Sequence, residues 1–171
     1  MKDSEELSIL DVGTGNGHLL LAIYDNGYTK CRLIGTDISP VSIELSQAIA
    51  KARGISSVIF RQQDLIKEAG NEQYRLVLDK GTFDAISLTD ELRDGRRLNK
   101  IYAANIHNIL SDDGIFLITS CNWTKKELIA RFGDFGLEYH SEIKYPTYEF
   151  GGQKGQTITS VAFVKGKKNM I

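Results

Sequence analysis

Hydrophobic and polar positions along this chain switch between two rhythms. Leu7–Val12 is a short, mostly apolar run that reads as a buried strand, and Asn16–Asp25 follows at helical spacing with Leu19, Leu20 and Ile23 on one face. Arg32–Thr36 is a second strand ending at Asp37. Ser39-Pro40 then opens a helix, because serine caps free N–H groups and proline suits the first helical position. That helix runs to about Arg53, where Gly54 stops it. Ser57–Arg61 is a third strand ending near Asp64, and Tyr74–Leu78 a fourth. Arg96–Leu110 is predicted helical, with Ile101, Ala104, Asn105 and Ile109 on a face and Asp112-Asp113-Gly114 closing it. Ile115–Thr119 is a fifth strand. Thr124 caps a helix to Phe132, with Glu127 completing a capping box. Glu138–Tyr145 and Thr157–Lys165 alternate on either side of the glycine-rich Tyr148–Gly155, which predicts an antiparallel pair.

Strand–helix alternation with apolar strands implies an α/β fold, a mostly parallel sheet with helices on both faces and an antiparallel C-terminal edge hairpin. No linker or repeat divides the chain, so residues 1–171 are expected to form a single domain. A dedicated nucleic-acid binder needs a basic face to neutralise phosphates, and the net charge of −1 argues against one, so no direct nucleic-acid partner is expected. No apolar run approaches the ~20 residues of a membrane helix, and Met1–Leu7 is too polar and acidic for a signal peptide. Cys31 and Cys121 lie among apolar residues without a CxxC, which predicts two buried free thiols in a reducing compartment. A cytoplasmic monomer is the expectation, with no membrane partner and no metal.

In open parallel sheets ligands bind beyond the carboxyl ends of the strands. The residues there are Asp11–Gly17, Asp37, Asp64, Asp79 and Ser120–Trp123. "LDVGTGNG" sets Gly13, Gly15 and Gly17 between a strand and a helix, where glycine permits a tight turn and the helix N-terminus offers N–H groups to negative charge. The loop binds a nucleotide-like cofactor or is an ordinary glycine turn. A dinucleotide fingerprint needs a small residue where His18 stands, which disfavours a nicotinamide oxidoreductase. Asp37 has the spacing of a carboxylate that accepts ribose hydroxyls, or it caps the next helix. Ile38 is placed to pack on an adenine face. Asp64 either accepts an adenine amino proton, with Leu65 over the ring, or is a solvated turn aspartate.

These features, with "LDVGTGNGH", "LDKGTFDAISL", "GIFLITSCNWTKKEL" and "FGGQKGQTITSVAFVK", make the chain resemble class I S-adenosylmethionine-dependent methyltransferases. More narrowly, it resembles the fungal protein-lysine methyltransferases that modify translation elongation factor 1-alpha. The glycine loop is shared by very many methyltransferases, whereas the second and third stretches are much narrower, and together the four span about residues 8–165. The resemblance implies a Rossmann-like seven-stranded sheet, S-adenosylmethionine as cofactor and elongation factor 1-alpha as protein substrate. It places the cofactor on Asp11, Gly13, Thr14, Gly15, Gly17, Asp37, Ile38, Asp64, Leu65 and Asp79, with Asp11 helping to hold the donor's amino group. Family members carry a further segment ahead of the glycine loop, so this chain is expected to be an N-terminally short form. The same fold also serves small-molecule methyltransferases and non-catalytic binding scaffolds, the alternatives to this reading.

Methyl transfer to lysine needs a neutral amine in line with the sulfonium methyl. Lysine's ordinary pKa is about 10.4, and a desolvated pocket beside a sulfonium favours loss of its proton. No general base is then obligatory, and His18, His107 and His140 lie on predicted helices or an edge strand. Amino-methyltransferases of DNA and glutamine place Asn/Asp-Pro-Pro-aromatic after the fourth strand, and the Asp79-Lys80-Gly81-Thr82-Phe83 found here disfavours both substrates. Asp79 is expected to orient the acceptor nitrogen. Phe83 either stacks on the lysine stem or packs in the core. Lys80 is read as pairing with an acid, and Asp84 as fixing that pair or capping the next segment. Asn122 is expected to orient substrate, and Trp123 walls the channel or staples the following helix. Tyr148, Phe150, Gly151 and Gly152 either cover the substrate or form a plain hairpin loop.

Overall fold

The computed structural model describes residues 7–68, 70–146, 148–150, 153–155 and 158–166, the two short stretches between 148 and 155 by backbone alone. β1 (Ser8–Val12), α1 (His18–Asp25), β2 (Arg32–Asp37), α2 (Pro40–Ala52), β3 (Val58–Gln62) and β4 (Tyr74–Lys80) form the first half. α3 (Thr82–Ile86), α4 (Leu98–Ile109), β5 (Leu110–Ser120), α5 (Lys125–Gly133), β6 (Leu137–Ile143) and β7 (Thr159–Lys165) form the second. The strands make one seven-stranded sheet in the order β3-β2-β1-β4-β5-β7-β6. This is the Rossmann-like α/β architecture expected.

The ends of the helices follow the sequence chemistry. The Ser39 hydroxyl accepts the Ser42 N–H ahead of Pro40, and Thr124 and Glu127 form the reciprocal capping box of α5. Side chains alternate across the sheet. Leu10, Val12, Val77, Phe116 and Ile118 join α4 and α5 in one core, while Ile9, Leu33, Val58 and Leu78 join α1 and α2 in the other. Phe132 sits at the centre of the first core, with the rings of Phe83, Phe116 and Phe163 between 5.0 and 5.4 Å away.

Three expectations need correction. Leu20 and Leu21 are the buried positions of α1, while Leu19 and Ile23 sit at the edge of its core. The buried face of α4 is Asn99, Tyr102, Ala103, Ile106 and Ile109, so its phase differs from the Ile101, Ala104 and Asn105 stripe. The last two strands form the expected antiparallel pair at the edge of the sheet. β7 inserts between β5 and β6, antiparallel to both, and β6 is left at the edge. Cys31 is buried, but Cys121 is exposed just past the end of β5. A small hairpin, Leu92–Arg93 against Arg96–Arg97, was not expected and turns on Asp94-Gly95, both at positive φ.

The Phe132 cluster supplies the first test. Phe132→Ala removes a fully buried ring from the meeting point of three others and is expected to cost about 3–5 kcal/mol. Urea unfolding reads this as a lowered midpoint with an unchanged slope.

Candidate active site

The carboxyl ends of β1, β2, β3 and β4 frame a cavity of about 360 Å³ whose lining includes Gly13, Asp37, Ile38, Asp64, Leu65 and Thr82. Its size is that of a small-molecule site. A larger cavity, about 540 Å³, lies on the α1 side among Leu7, Ile9, Leu19, Leu76 and Leu117. That lining is mainly aliphatic, with Tyr28, Asp79, Lys80 and Thr119 as its polar members, whereas the smaller cavity adds the strand-end carboxylates of Asp37 and Asp64 and is the one with cofactor chemistry. The two meet at Lys80, which lines both, and Asp79 lines the larger alone.

Asp37 ties the end of β2 to the glycine loop. Its Oδ2 accepts the Gly15 N–H at 2.9 Å and its Oδ1 the Ser39 N–H at 2.9 Å. A carboxylate has about four acceptor positions, so Asp37 retains capacity toward the cavity it lines. Ile38 is 64% exposed and forms an apolar wall there. Asp64 caps the turn after β3, accepting the N–H groups of Ile66 and Lys67 through Oδ1. Leu65, behind it, is buried against the core while still lining the cavity.

The three glycines of the loop have different reasons to be glycine. A Cβ on Gly13 would sit 2.0 Å from Thr82 Oγ1, and one on Gly17 would meet the Phe60 ring at 2.6 Å. Gly15, at φ +57°, faces open space. Close internal packing thus accounts for the outer pair, and only the middle one leaves room for a ligand. The expected supply of loop N–H groups is also smaller than anticipated. Thr14 N–H donates to Thr36, Gly17 N–H to Thr14, and His18 N–H to Asn16 Oδ1.

Asp11 does not line the cavity. It is buried beneath the loop and accepts the Thr14 hydroxyl at 2.7 Å, so its evident action is to hold Thr14, itself buried. Burial pushes the Asp11 carboxyl up to about 6, against the lowering effects of Thr14 and of Lys80 nearby.

Asp79 is placed differently from the expectation that it would meet substrate. It is 2% exposed. Oδ1 accepts the Thr82 N–H at 2.8 Å, while Oδ2 accepts the Phe83 N–H at 3.0 Å and the Tyr102 hydroxyl at 2.5 Å. Its bonding capacity is directed into the protein, fixing the start of α3 and the cavity-lining Tyr102. Desolvation raises its carboxyl to about 7 despite those donors, and burial with the neighbouring Asp79 charge pushes the Tyr102 hydroxyl well up. Phe83 is fully buried among Tyr102, Trp123 and Phe132 and lines neither cavity, so its role is core packing rather than stacking on substrate.

Asp84 also departs from expectation. It neither pairs with Lys80 nor caps a helix. Its carboxylate accepts the Ser120 hydroxyl at 2.6 Å and the Cys121 N–H at 2.9 Å. Ser120 Oγ in turn accepts the N–H groups of Asn122 and Trp123. One buried acid therefore shapes the whole corner after β5. Asn122 is exposed on that corner, and Trp123 packs between Phe83 and the Arg131 guanidinium, which makes it a staple onto α5. His18, His107 and His140 line neither cavity. Gly151 and Gly152 of the anticipated cover lie outside the described residues, as do the side chains of Tyr148 and Phe150, whose backbone pairs with Gln153–Gly155. Thr82 and Tyr102 were missed in the sequence. Thr82 carried one signal, its place after Asp79-Lys80-Gly81 where a helix starts.

A family model described as a methyltransferase domain matches residues 3–163. The chain belongs to the methyltransferase family. The protein-lysine N-methyltransferase efm4 of Schizosaccharomyces pombe is 44% identical over 170 residues, covering 95% of this chain and 71% of that protein. The human EEF1A lysine methyltransferase 2 is 37% identical over 161 residues, covering 94% and 66%. Among solved structures, a TehB-like SAM-dependent methyltransferase from Corynebacterium glutamicum superposes with a TM-score of 0.67 at 18% identity, over 93% of this chain and 80% of its own. Within the methyltransferases the chain belongs with the protein-lysine N-methyltransferases, and its cofactor is S-adenosylmethionine. The cavity fits that group: a carboxylate beyond β2 for hydroxyls, another beyond β3, and apolar walls from Ile38 and Leu65 for a base. Among the described residues, no helix is long and apolar enough to cross a membrane.

Two tests follow from this geometry. The folded Asp79 and Asp11 carboxyls hold protons that the unfolded chain releases near 3.8, so the folded state binds more protons from there up to about 7 and about 6 respectively. Stability should therefore fall as pH rises through that window, by up to about 1.4 kcal/mol per pH unit for each group. Urea midpoints across the window should show that slope, reduced in Asp79→Asn. Separately, Asp84→Ala strands the Ser120 hydroxyl and the Cys121 N–H at a cost of about 1–3 kcal/mol. It is expected to slow methyl transfer to protein while donor affinity holds, read by initial rates beside calorimetric donor binding.

Proposed function

We propose that this protein transfers a methyl group from S-adenosylmethionine to a lysine side chain of translation elongation factor 1-alpha. The observation that carries the substrate is the 37% identity, along 94% of this chain, to a human protein named for lysine methylation of EEF1A. The cavity at the strand ends carries the donor. In this reading Asp37 accepts the ribose hydroxyls, Asp64 and the Leu65 backbone address the adenine edge, and Ile38 and Leu65 enclose its faces. Gly15 gives the donor room beside the loop that Asp11, Thr14, Gly13 and Gly17 shape from within.

The bound donor supplies an electrophilic methyl on a sulfonium. The protein's own part is to position the acceptor nitrogen and keep it dry. Asp79 acts as a positioning residue, through Thr82 and Tyr102, rather than by touching the amine. The Ser120–Trp123 corner, with Asn122 exposed at its tip, is where the substrate's backbone arrives. With Asp79 turned inward and no histidine among the residues lining the cavity, the acceptor gives its proton to solvent water as it enters, driven by desolvation and by repulsion from the sulfonium, the two effects that favour a neutral lysine. We place this reaction in the cytoplasm, with the enzyme a monomer whose only macromolecular partner is its protein substrate. A net charge of −1 fits that restriction.

The test uses purified elongation factor 1-alpha and methyl-labelled donor. Label is expected on a lysine of that protein, located by peptide mass spectrometry, and lost with Asp37→Ala in parallel with donor affinity. If the enzyme binds donor yet labels other proteins and leaves elongation factor 1-alpha bare, the substrate assignment fails.

A further inference from the structure

Lys80 ends β4, is exposed, and lines both the cofactor cavity and the apolar cavity beside it. Along β4 it shares a face with Leu76 and Leu78, the α1 side of the sheet, where Ile9 and Leu20 also pack. Asp79, one residue earlier, points to the opposite side and into the α4 core. The sequence suggested a structural ion pair for Lys80. Among the described residues no hydrogen bond or ion pair to its ammonium is present. Among the described residues its one electrostatic partner is Asp11, whose carboxyl it pulls down from a distance.

An unpaired ammonium is an unusual lining for a site that receives a sulfonium and then a lysine. The cavity's other charged liners, Asp37 and Asp64, are acids, and Lys80 is its one cation among the described residues. The donor's methionine end carries a carboxylate, which needs a cation or several free N–H groups. The glycine loop is poorly supplied, since Thr14, Gly15, Gly17 and His18 all donate their N–H groups within the protein. β1 and β4 are direct neighbours, with Val12 opposite Asp79, so Lys80 stands beside the entrance to that loop.

We propose that Lys80 binds the α-carboxylate of the methyl donor. This rests on the assignment of the cavity to S-adenosylmethionine. The pairing gives the carboxylate its counter-charge and removes a free cation from the path of the incoming lysine. It also divides the labour of the Asp79-Lys80 pair: the acid turns inward to build α3, and the base turns outward to the donor.

Decarboxylated S-adenosylmethionine isolates the interaction, because it lacks only the carboxylate. Calorimetry on the protein and on Lys80→Met, Lys80→Arg and Asp37→Ala reads both ligands. Lys80→Met is expected to weaken S-adenosylmethionine binding roughly ten- to hundredfold, the worth of a hydrogen bond to a charged group, and to leave binding of the decarboxylated analogue unchanged. Lys80→Arg should keep most of the affinity, and Asp37→Ala should weaken both ligands alike. Equal weakening of both ligands by Lys80→Met, or no weakening of either, overturns the assignment of Lys80 alone. If the unaltered protein binds neither ligand, or Asp37→Ala has no effect, the cavity assignment falls and Lys80 falls with it.

Discussion

A desolvated carboxylate at the end of β4 is the constraint on which the site depends. Asp79 receives two backbone N–H groups of α3 and the Tyr102 hydroxyl of α4. Thr82, held by one of those bonds, donates its own hydroxyl to Val12 O at 2.7 Å, and its side chain fills the space a Cβ on Gly13 would need. The end of β4 is thus linked to the first turn of the glycine loop through a single side chain. At the loop's middle, Asp37 takes the Gly15 N–H from the β2 side. The loop is clamped between two acids on the strand ends that flank β1, each satisfied by backbone donors, which rigidifies the site before any ligand arrives. An unsatisfied acid at the Asp79 position would be costly to bury, so the three donors and the burial must be kept together.

Much of this was legible in the sequence, and the parts that were not have specific causes. The strand ends could be read because a buried parallel strand is an apolar run that stops, and Asp11, Asp37 and Asp79 stand at such stops. Which way an acid faces is another matter. Adjacent residues of a strand face opposite sides, so Asp79 and Lys80 had to part, but alternation alone does not say which side holds a ligand. Tyr102 was hidden for a different reason. The α4 sequence carries apolar residues on more than one stripe, with Ile101 and Ala104 competing with Tyr102 and Ile106, and the tertiary contacts choose the phase. The pairing of β7 with β6 was legible, but its insertion against β5 was not, because an alternating strand looks the same whether it pairs with one neighbour or with two.

Phe83 and Asp84 show how a motif can be recognised and its parts still misassigned. "DKGTFDAISL" marks the region where acceptor chemistry belongs, yet the aromatic residue in it is core and the second acid serves a corner 36 residues further on, at Ser120. Short-range sequence suggested local roles for Asp84. The real role is long-range because α3 is only five residues long, from Thr82 to Ile86, and its side chains reach the neighbouring strand end at once. The donor side and the acceptor side of the site are therefore built from one stretch: Asp79 and Thr82 serve the glycine loop, and Asp84 serves the Ser120–Trp123 corner.

This economy bears on how a lysine can be deprotonated here. A carboxylate presented to the incoming ammonium would stabilise its charged form and oppose the loss of the proton. The site avoids that by spending its nearest acid, Asp79, on internal donors, and by keeping Asp84 buried under the corner it shapes. The acids left at the cavity, Asp37 and Asp64, stand beyond β2 and β3, on the far side of the loop from β5. Negative charge is concentrated where hydroxyls and a base edge would be held, and withdrawn from where an amine must become neutral. Lys80, at the junction between the two regions, is the charge that marks the boundary.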